Sequence, residues 1–288
     1  MDDRERLIEA VTRRVLEALA GDSDEVCCAD CEGSCAAHCS DKVRAMVAIG
    51  ASRISYNGSG GEVPQDLGTF IDHTLLKPDA TPAQIDQLCD EAMSYGFAAV
   101  CVNPVWVRRA AARVRGSKVK VASVVGFPLG AHAPEIKAME TRRALRDGAG
   151  EIDMVINIGA LKAGEYDLVR TDIARVTEAC REVGAACKVI IEAALLSDEE
   201  KVVASRLAQQ AKADYVKTST GFGPGGAQVL DVGLMREAVG PAMGIKAAGG
   251  IKTAEQVREF IAAGATRIGA SAGIEIVESK EGGDSGGY

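Results

Sequence analysis

Asp214-Tyr-Val-Lys-Thr-Ser-Thr-Gly-Phe-Gly223 reads as a short buried strand that runs into a glycine-rich turn. Lys217 sits inside the apolar run, where a charged amine is costly unless it has a partner or a chemical task. Burial lowers the pKa of a lysine, and a neutral amine attacks carbonyls to form a Schiff base. A second strand of the same design follows, Gly244-Ile-Lys-Ala-Ala-Gly-Gly-Ile251, and it carries Lys246. If the two strands are neighbours in one sheet, the Lys246 ammonium lies beside Lys217 and lowers its pKa further. Two solvated lysines at strand ends are the plainer alternative.

Outward from this pair, the chain from Phe70 alternates short apolar strands with amphipathic helices. Strands are expected at Phe70–Leu75, Ala98–Val102, Lys118–Val125, Glu151–Asn157, Lys188–Glu192, Asp214–Thr218, Gly244–Ala248 and Thr266–Ala270. Helical stretches lie between them, and glycines such as Gly96, Gly148, Gly184, Gly240 and Gly264 stop several of these. Eight strand–helix units over roughly 210 residues predict an α/β fold, a (β/α)8 TIM barrel spanning 66–278. An open doubly wound sheet competes. It would normally carry a nucleotide-binding loop after its first strand, and Asp72-His-Thr-Leu-Leu-Lys77 is not one.

A barrel places its chemistry at the C-terminal ends of the strands. Strand four supplies Glu151-Ile-Asp-Met-Val-Ile-Asn157, with Asp153 among hydrophobes and Glu151 on the same side. A buried carboxylate needs a cation or a proton, so Asp153 is either half of a structural ion pair or a partner of the two lysines. One carboxylate and two lysines in one pocket suit Schiff-base chemistry with proton shuttling. Three glycine-rich turns, Gly221-Phe-Gly223, Gly249-Gly-Ile-Lys252 and Gly269-Ala-Ser-Ala-Gly273, follow strands six, seven and eight. Small residues let backbone N–H groups approach an anion, and the last strands are where barrels commonly bind phosphate.

Composition narrows the class. The 288 residues are 47% hydrophobic and 26% charged, which suits one large globular domain with additions. A net charge of −8 argues against nucleic acid as the main partner. The chain has no apolar run of membrane-spanning length and opens on no signal-peptide hydrophobic region, so the expectation is a cytoplasmic protein without a membrane partner.

The first 65 residues lie before the barrel. In residues 1–20, Leu7, Ile8, Val11, Val15, Ala18 and Leu19 line one face of an amphipathic helix. Residues 21–65 hold five of the nine cysteines, in Cys27-Cys-Ala-Asp-Cys-Glu-Gly-Ser-Cys-Ala-Ala-His-Cys39. Cys28, Cys31, Cys35, His38 and Cys39 offer a soft ligand set for zinc or an Fe–S cluster, and redox-labile free thiols are the alternative. Val43-Arg-Ala-Met-Val-Ala-Ile-Gly-Ala-Ser-Arg-Ile54 resembles Val257-Arg-Glu-Phe-Ile-Ala-Ala-Gly-Ala-Thr-Arg-Ile268 later in the chain. Tyr56-Asn-Gly-Ser-Gly-Gly61 reads as a linker, and 279–288 as a glycine-rich tail ending in Tyr288.

Taken in order, Asp72-His-Thr-Leu-Leu-Lys77, Glu151-Ile-Asp153, Lys217-Thr-Ser-Thr-Gly221, Lys246-Ala-Ala-Gly-Gly250 and Arg267-Ile-Gly-Ala-Ser-Ala-Gly273 resemble the deoxyribose-phosphate aldolases, from about Phe70 to Val277. The resemblance implies a class I aldolase with no cofactor for catalysis, cleaving 2-deoxy-D-ribose 5-phosphate to D-glyceraldehyde 3-phosphate and acetaldehyde. It implies Lys217 as the Schiff-base nucleophile, Lys246 as the group that depresses its pKa, and Asp153 as a proton relay through water. The bond expected to break is C3–C4. Gly221, Gly250, Lys252, Gly269 and Ser271 are implied as phosphate ligands. Asp72, Thr74, Thr218, Gly249 and a non-essential Cys101 are implied in the substrate pocket. Tyr288 matches a terminal tyrosine that assists proton transfer in some members. Phe222 stands where some members have lysine, and Ala272 where some have a second serine.

The helix of residues 1–20 is itself similar to the encapsulation peptides of enzymes packed in bacterial microcompartments. That likeness implies shell proteins as partners and a microcompartment as location. A homo-oligomer, a dimer, is expected. Two other readings stay open: a different Schiff-base sugar-phosphate aldolase or transaldolase, and a non-catalytic phosphosugar-binding scaffold protein.

Overall fold

The computed structural model describes residues 66–279. The helix expected at 1–20, the cysteine cluster, the 43–54 segment and Tyr288 lie outside the described residues. Eight strands pair in parallel and in sequence order, and the first and last pair to close a barrel. They are β1 Ile71–Leu75, β2 Ala99–Val102, β3 Lys120–Val125, β4 Glu151–Val155, β5 Ala186–Ile190, β6 Tyr215–Lys217, β7 Gly244–Ala248 and β8 Arg267–Ala270. The TIM barrel expected from the sequence is the fold.

Nine helices lie among the described residues. They are α1 Pro82–Ser94, α2 Val107–Arg113, α3 Pro134–Asp147, α4 Ile158–Lys162, α5 Tyr166–Arg181, α6 Asp198–Gln210, α7 Val229–Val239, α8 Ala254–Ala262 and α9 Gly273–Glu278. Three of them begin on capping boxes. Thr81, Ser197 and Thr253 each accept from the backbone N–H three residues on, and Gln84, Glu200 and Gln256 reach back. The 43–54 look-alike, 257–268, is most of α8 followed by the start of β8. The sequence pattern did not separate α4, whose N-cap Asn157 accepts from Ala160 N–H. It also placed β5 two residues late, at Lys188–Glu192. The strand ends at Ile190 because Glu192 takes a left-handed backbone, which cannot extend a strand.

Side chains alternate across each strand, so one set faces the helices and the other fills the barrel. The outward set, including Val100, Ile152, Met154, Val189, Val216 and Ile245, joins one apolar cluster with the helices. Inside, the filling is divided. Leu76, Cys101, Ala122 and Val124, with Phe127 against them, form a small apolar group. Much of the rest of the interior is ionic, with Val155 and Ile190 buried above it. No helix among the described residues is long and apolar enough to cross a membrane.

One buried ion pair outside the barrel props up the mouth of β4. Lys137 on α3 bonds Asp172 on α5, and its Nζ donates to the Val155 carbonyl at 2.8 Å. Both side chains are essentially inaccessible. Removing one partner strands a charge in the interior, which typically costs ~3–5 kcal/mol. Lys137→Met is therefore expected to lower the denaturation midpoint by that much stability, measured by urea unfolding. An unchanged midpoint would show that the pair contributes nothing.

Candidate active site

Parallel register puts the two lysines side by side, because Lys217 of β6 is the direct partner of Lys246 of β7. Both side chains point inward and meet one carboxylate. Asp153 of β4 accepts from Lys217 Nζ at 2.8 Å and from Lys246 Nζ at 2.7 Å, both on Oδ2. Its Oδ1 is held by Lys188 of β5 at 2.7 Å. Lys246 also bonds Asp72 Oδ2 at 2.5 Å. Lower in the barrel, Lys188 meets Glu151 at 2.6 Å, and Arg267 bridges Asp72 and Glu151 at 2.7 and 3.1 Å. The Arg267 guanidinium lies 5.6 Å from the Tyr215 ring centre.

This network holds four basic side chains, Lys188, Lys217, Lys246 and Arg267, and three carboxylates, Asp72, Glu151 and Asp153. With every group charged, the barrel would bury a net positive charge, which a low-dielectric interior resists. Neutralising one lysine would balance the set, and Lys217 is the lysine of the set whose pKa is lowered. Burial pushes its pKa down and the Lys246 ammonium pushes the same way, with Asp153 opposing. Lys246 goes up despite its burial, because Asp153 and Asp72 flank it. Lys188 also goes up against its burial, through Asp153, Asp72 and Glu151. Asp153 itself is held well below the usual carboxylate range: burial pushes it up, but the three lysines outweigh that.

Of the interior cations, Lys217 alone lines the cavity at the C-terminal mouth. That cavity, about 260 Å³, is walled by Thr74 on β1 and Lys77 beyond it, Lys217, Thr220, Gly221 and Phe222 on β6 and its loop, and Gly249, Gly250 and Lys252 after β7. Gly269 and Ser271 close it from β8. The wall contains three lysines and no carboxylate, so it suits an anion. Glycine is required where the loops after β6 and β7 touch: a Cβ on Gly226 would lie 2.3 Å from the Gly249 carbonyl oxygen.

The pattern drawn from sequence and the pocket drawn from structure overlap unequally. Lys217, Thr74, Gly221, Gly249, Gly250, Lys252, Gly269 and Ser271 all line the cavity. Asp153 and Lys246 lie directly behind Lys217. Asp72 has no exposed surface and is bonded to Lys246 and Arg267, so it stands behind the wall rather than in it. Thr218 is fully buried, and its hydroxyl spans the Ala248 backbone, donating to O and accepting from N at 3.1 Å each. Cys101 sits in the apolar group, where burial pushes its thiol pKa up and keeps it protonated. Phe222 is half exposed and meets Phe127 edge-on, with ring centres 5.3 Å apart.

Four residues went unassigned in the sequence reading: Lys188, Arg267, Glu192 and Lys77. Lys188 was legible as a third lysine inside an apolar strand, but a boundary two residues late put it at the strand's solvent end. Arg267 and Lys77 stand in quoted motifs with nothing local to mark their direction.

Residues 68–279 match the family model described as DeoC/LacD family aldolase. The chain belongs to the DeoC/LacD aldolase family. A deoxyribose-phosphate aldolase from Streptococcus gordonii is 58% identical over 214 residues, covering 74% of this chain and 96% of the relative. One from Thermococcus gammatolerans is 59% identical over 218 residues, covering 75% and 97%. Among solved structures, the deoxyribose phosphate aldolase of Aeropyrum pernix, described as a unique tetramer, superposes with a TM-score of 0.72 at 33% identity. It covers 78% of this chain and 96% of that one. Membership makes this DeoC/LacD barrel an aldolase, a carbon–carbon lyase.

Proposed function

We propose that this aldolase cleaves 2-deoxy-D-ribose 5-phosphate reversibly to D-glyceraldehyde 3-phosphate and acetaldehyde through a Schiff base on Lys217. One observation carries the reading: the lysine that faces the cavity is the one whose charge the interior rejects, and Asp153 joins it to Lys246. The relatives' shared name supplies the substrate.

Neutral Lys217 Nζ attacks C1 of the open-chain aldehyde, and loss of water gives the iminium. A base takes the C3 hydroxyl proton, and the electrons of the C2–C3 bond move into the iminium to form an enamine. The expected C3–C4 break does not balance. Acetaldehyde carries C1 and C2, so C2–C3 is the bond that yields it; breaking C3–C4 would release a two-carbon phosphate instead. Protonation of the enamine at C2 and hydrolysis then return acetaldehyde and free lysine. Asp153 is too well stabilised to be a strong base by itself. Its place between Lys217 and Lys246 suits passing a proton along, by way of water, rather than keeping it. Lys77, Lys252 and the glycine turns receive the phosphate, which offsets the phenylalanine at position 222.

Donor choice tests the reading against other Schiff-base sugar-phosphate aldolases and transaldolases. With glyceraldehyde 3-phosphate as acceptor, acetaldehyde is expected to be the preferred donor over dihydroxyacetone. Preference for dihydroxyacetone would overturn the substrate assignment and leave the nucleophile standing. A scaffold protein that merely binds phosphosugars has no need of a desolvated lysine.

The rest of the reading comes from sequence alone. The likeness of residues 1–20 to encapsulation peptides supports packaging by microcompartment shell proteins. Cys28, Cys31, Cys35, His38 and Cys39 have the donor chemistry for zinc or an Fe–S cluster. Tyr288 at the end of its glycine-rich tether has the chemistry to assist proton transfer. A homo-oligomer is in keeping with the A. pernix relative, described as a tetramer.

A further inference from the structure

Glu192 follows β5 by two residues, and it is built against its own local preferences. Its backbone is left-handed, φ 53° and ψ 62°, a conformation costly for a residue with a branched or long side chain. The residue is only 2% exposed, and its buried Oε1 has no hydrogen-bond partner. A residue placed there for stability alone would be glycine. The carboxylate does one visible thing: Oε2 accepts from Thr220 N–H at 3.1 Å and from the Thr220 hydroxyl at 2.5 Å. With its proton committed to Glu192, Thr220 Oγ1 accepts from Phe222 N–H at 3.0 Å. These bonds bracket Gly221, which is held at φ 85°. The loop then passes close over the carboxylate, since a Cβ on Gly223 would lie 2.8 Å from Oε1. Thr220, Gly221 and Phe222 all line the cavity, whereas Glu192 does not.

We infer that Glu192 is a positioning residue: through Thr220 it sets the shape of the turn after β6 that receives the substrate's phosphate. This rests on the phosphate reading above. Strain and an unpartnered oxygen are tolerated at 192 because the reach from β5 to β6 fixes the turn before substrate arrives, which lowers the cost of ordering it on binding.

The test compares Glu192→Gly and Glu192→Gln in the full chain, with 2-deoxyribose 5-phosphate and unphosphorylated 2-deoxyribose as substrates. Glycine relieves the backbone but removes the clamp. Expected for Glu192→Gly is a melting temperature equal to or above wild type and a KM for the phosphorylated sugar about tenfold higher, equivalent to ~1.4 kcal/mol of binding. Its kcat, and its kcat/KM for the unphosphorylated sugar, are expected to stay within about twofold. Glu192→Gln keeps an acceptor for Thr220 and is expected to restore most of the KM. Thr220→Val removes the hydroxyl half of the same link and leaves the N–H bond, so it should raise the same KM by a smaller factor, and combining it with Glu192→Gly should add little. A wild-type KM in Glu192→Gly and in Thr220→Val overturns the inference. So does equal loss on both sugars with a lower melting temperature, the signature of a merely structural role. If the wild-type enzyme itself shows no preference for the phosphorylated sugar, the phosphate reading falls and the inference with it, an outcome visible before any variant is made.

Discussion

Lys217→Met is expected to abolish aldol cleavage while leaving the barrel folded. The loss follows from chemistry: without the amine there is no iminium to accept the electrons of the breaking C2–C3 bond. The survival of the fold follows from charge. Lys188, Lys246 and Arg267 then face Asp72, Glu151 and Asp153, three cations against three anions, with the hydrogen bonds of Lys188 and Lys246 to Asp153 retained. Methionine matches the lysine stem in volume, so the change in stability is expected to stay under ~1.5 kcal/mol. The measurement is mass spectrometry after borohydride reduction with substrate or acetaldehyde, alongside a melting curve. Wild type should carry a stable adduct mapped to Lys217, and the variant none. Substantial cleavage by a folded Lys217→Met would remove Lys217 as nucleophile. An adduct on Lys246 in the wild type would exchange the roles of the pair.

Lys246→Met should have the second largest effect, and it should be dependent on pH. In the wild type, burial and the Lys246 ammonium hold the Lys217 pKa below that of an ordinary lysine. Remove the Lys246 ammonium and the balance shifts: three basic groups then face three carboxylates, which favours the charged form of Lys217. Two local changes push the same way. The neighbouring cation that lowers the Lys217 pKa is gone, and Asp153 Oδ2 is left to Lys217 alone. Since the reactive form is the neutral amine, activity rises with pH through the Lys217 pKa. Raising that pKa moves the acidic limb of the profile to higher pH. At neutral pH the rate is expected to fall by about 10²-fold or more, the scale of a lost proton-transfer partner. Part of that loss should return as the pH is raised. The pH profile of kcat/KM is the measurement, because it reports groups in the free enzyme. A uniform loss with an unmoved limb would mean that Lys246 acts on a later step and does not tune Lys217.

Much of this is legible in the sequence. Lys217 and Lys246 stand in apolar runs too short to be helices, each followed by glycines. The alternation of such runs with capped helices specifies a barrel, and the period of two along a strand then sends Lys217, Lys246 and Asp153 to one side. The glycine turns after β6, β7 and β8 line the cavity as their composition implied. Lys188 was missed because a strand boundary is a weak local signal, and moving it two residues keeps the facing while changing the depth. Thr218 and Asp72 lay in the right motifs, yet both are bonded behind the cavity wall. A motif names the neighbourhood of a side chain, and only packing decides whether the last ångströms point at substrate or at backbone.

Period and punctuation are local properties, so the chain by itself determined the barrel, the inward set of side chains and the candidate nucleophile. Depth, partner and charge state were decided by tertiary structure. Lys246 meets Asp153 across 93 positions of sequence and Asp72 across 174, and Arg267 meets Asp72 across 195. Those meetings depend on how strands register around a closed barrel, which no window of sequence contains. The chemistry depends on their sum. Lys217 is the member whose pKa is driven down because it is buried where four basic groups share a space that holds three carboxylates, and that count exists only once the barrel has closed.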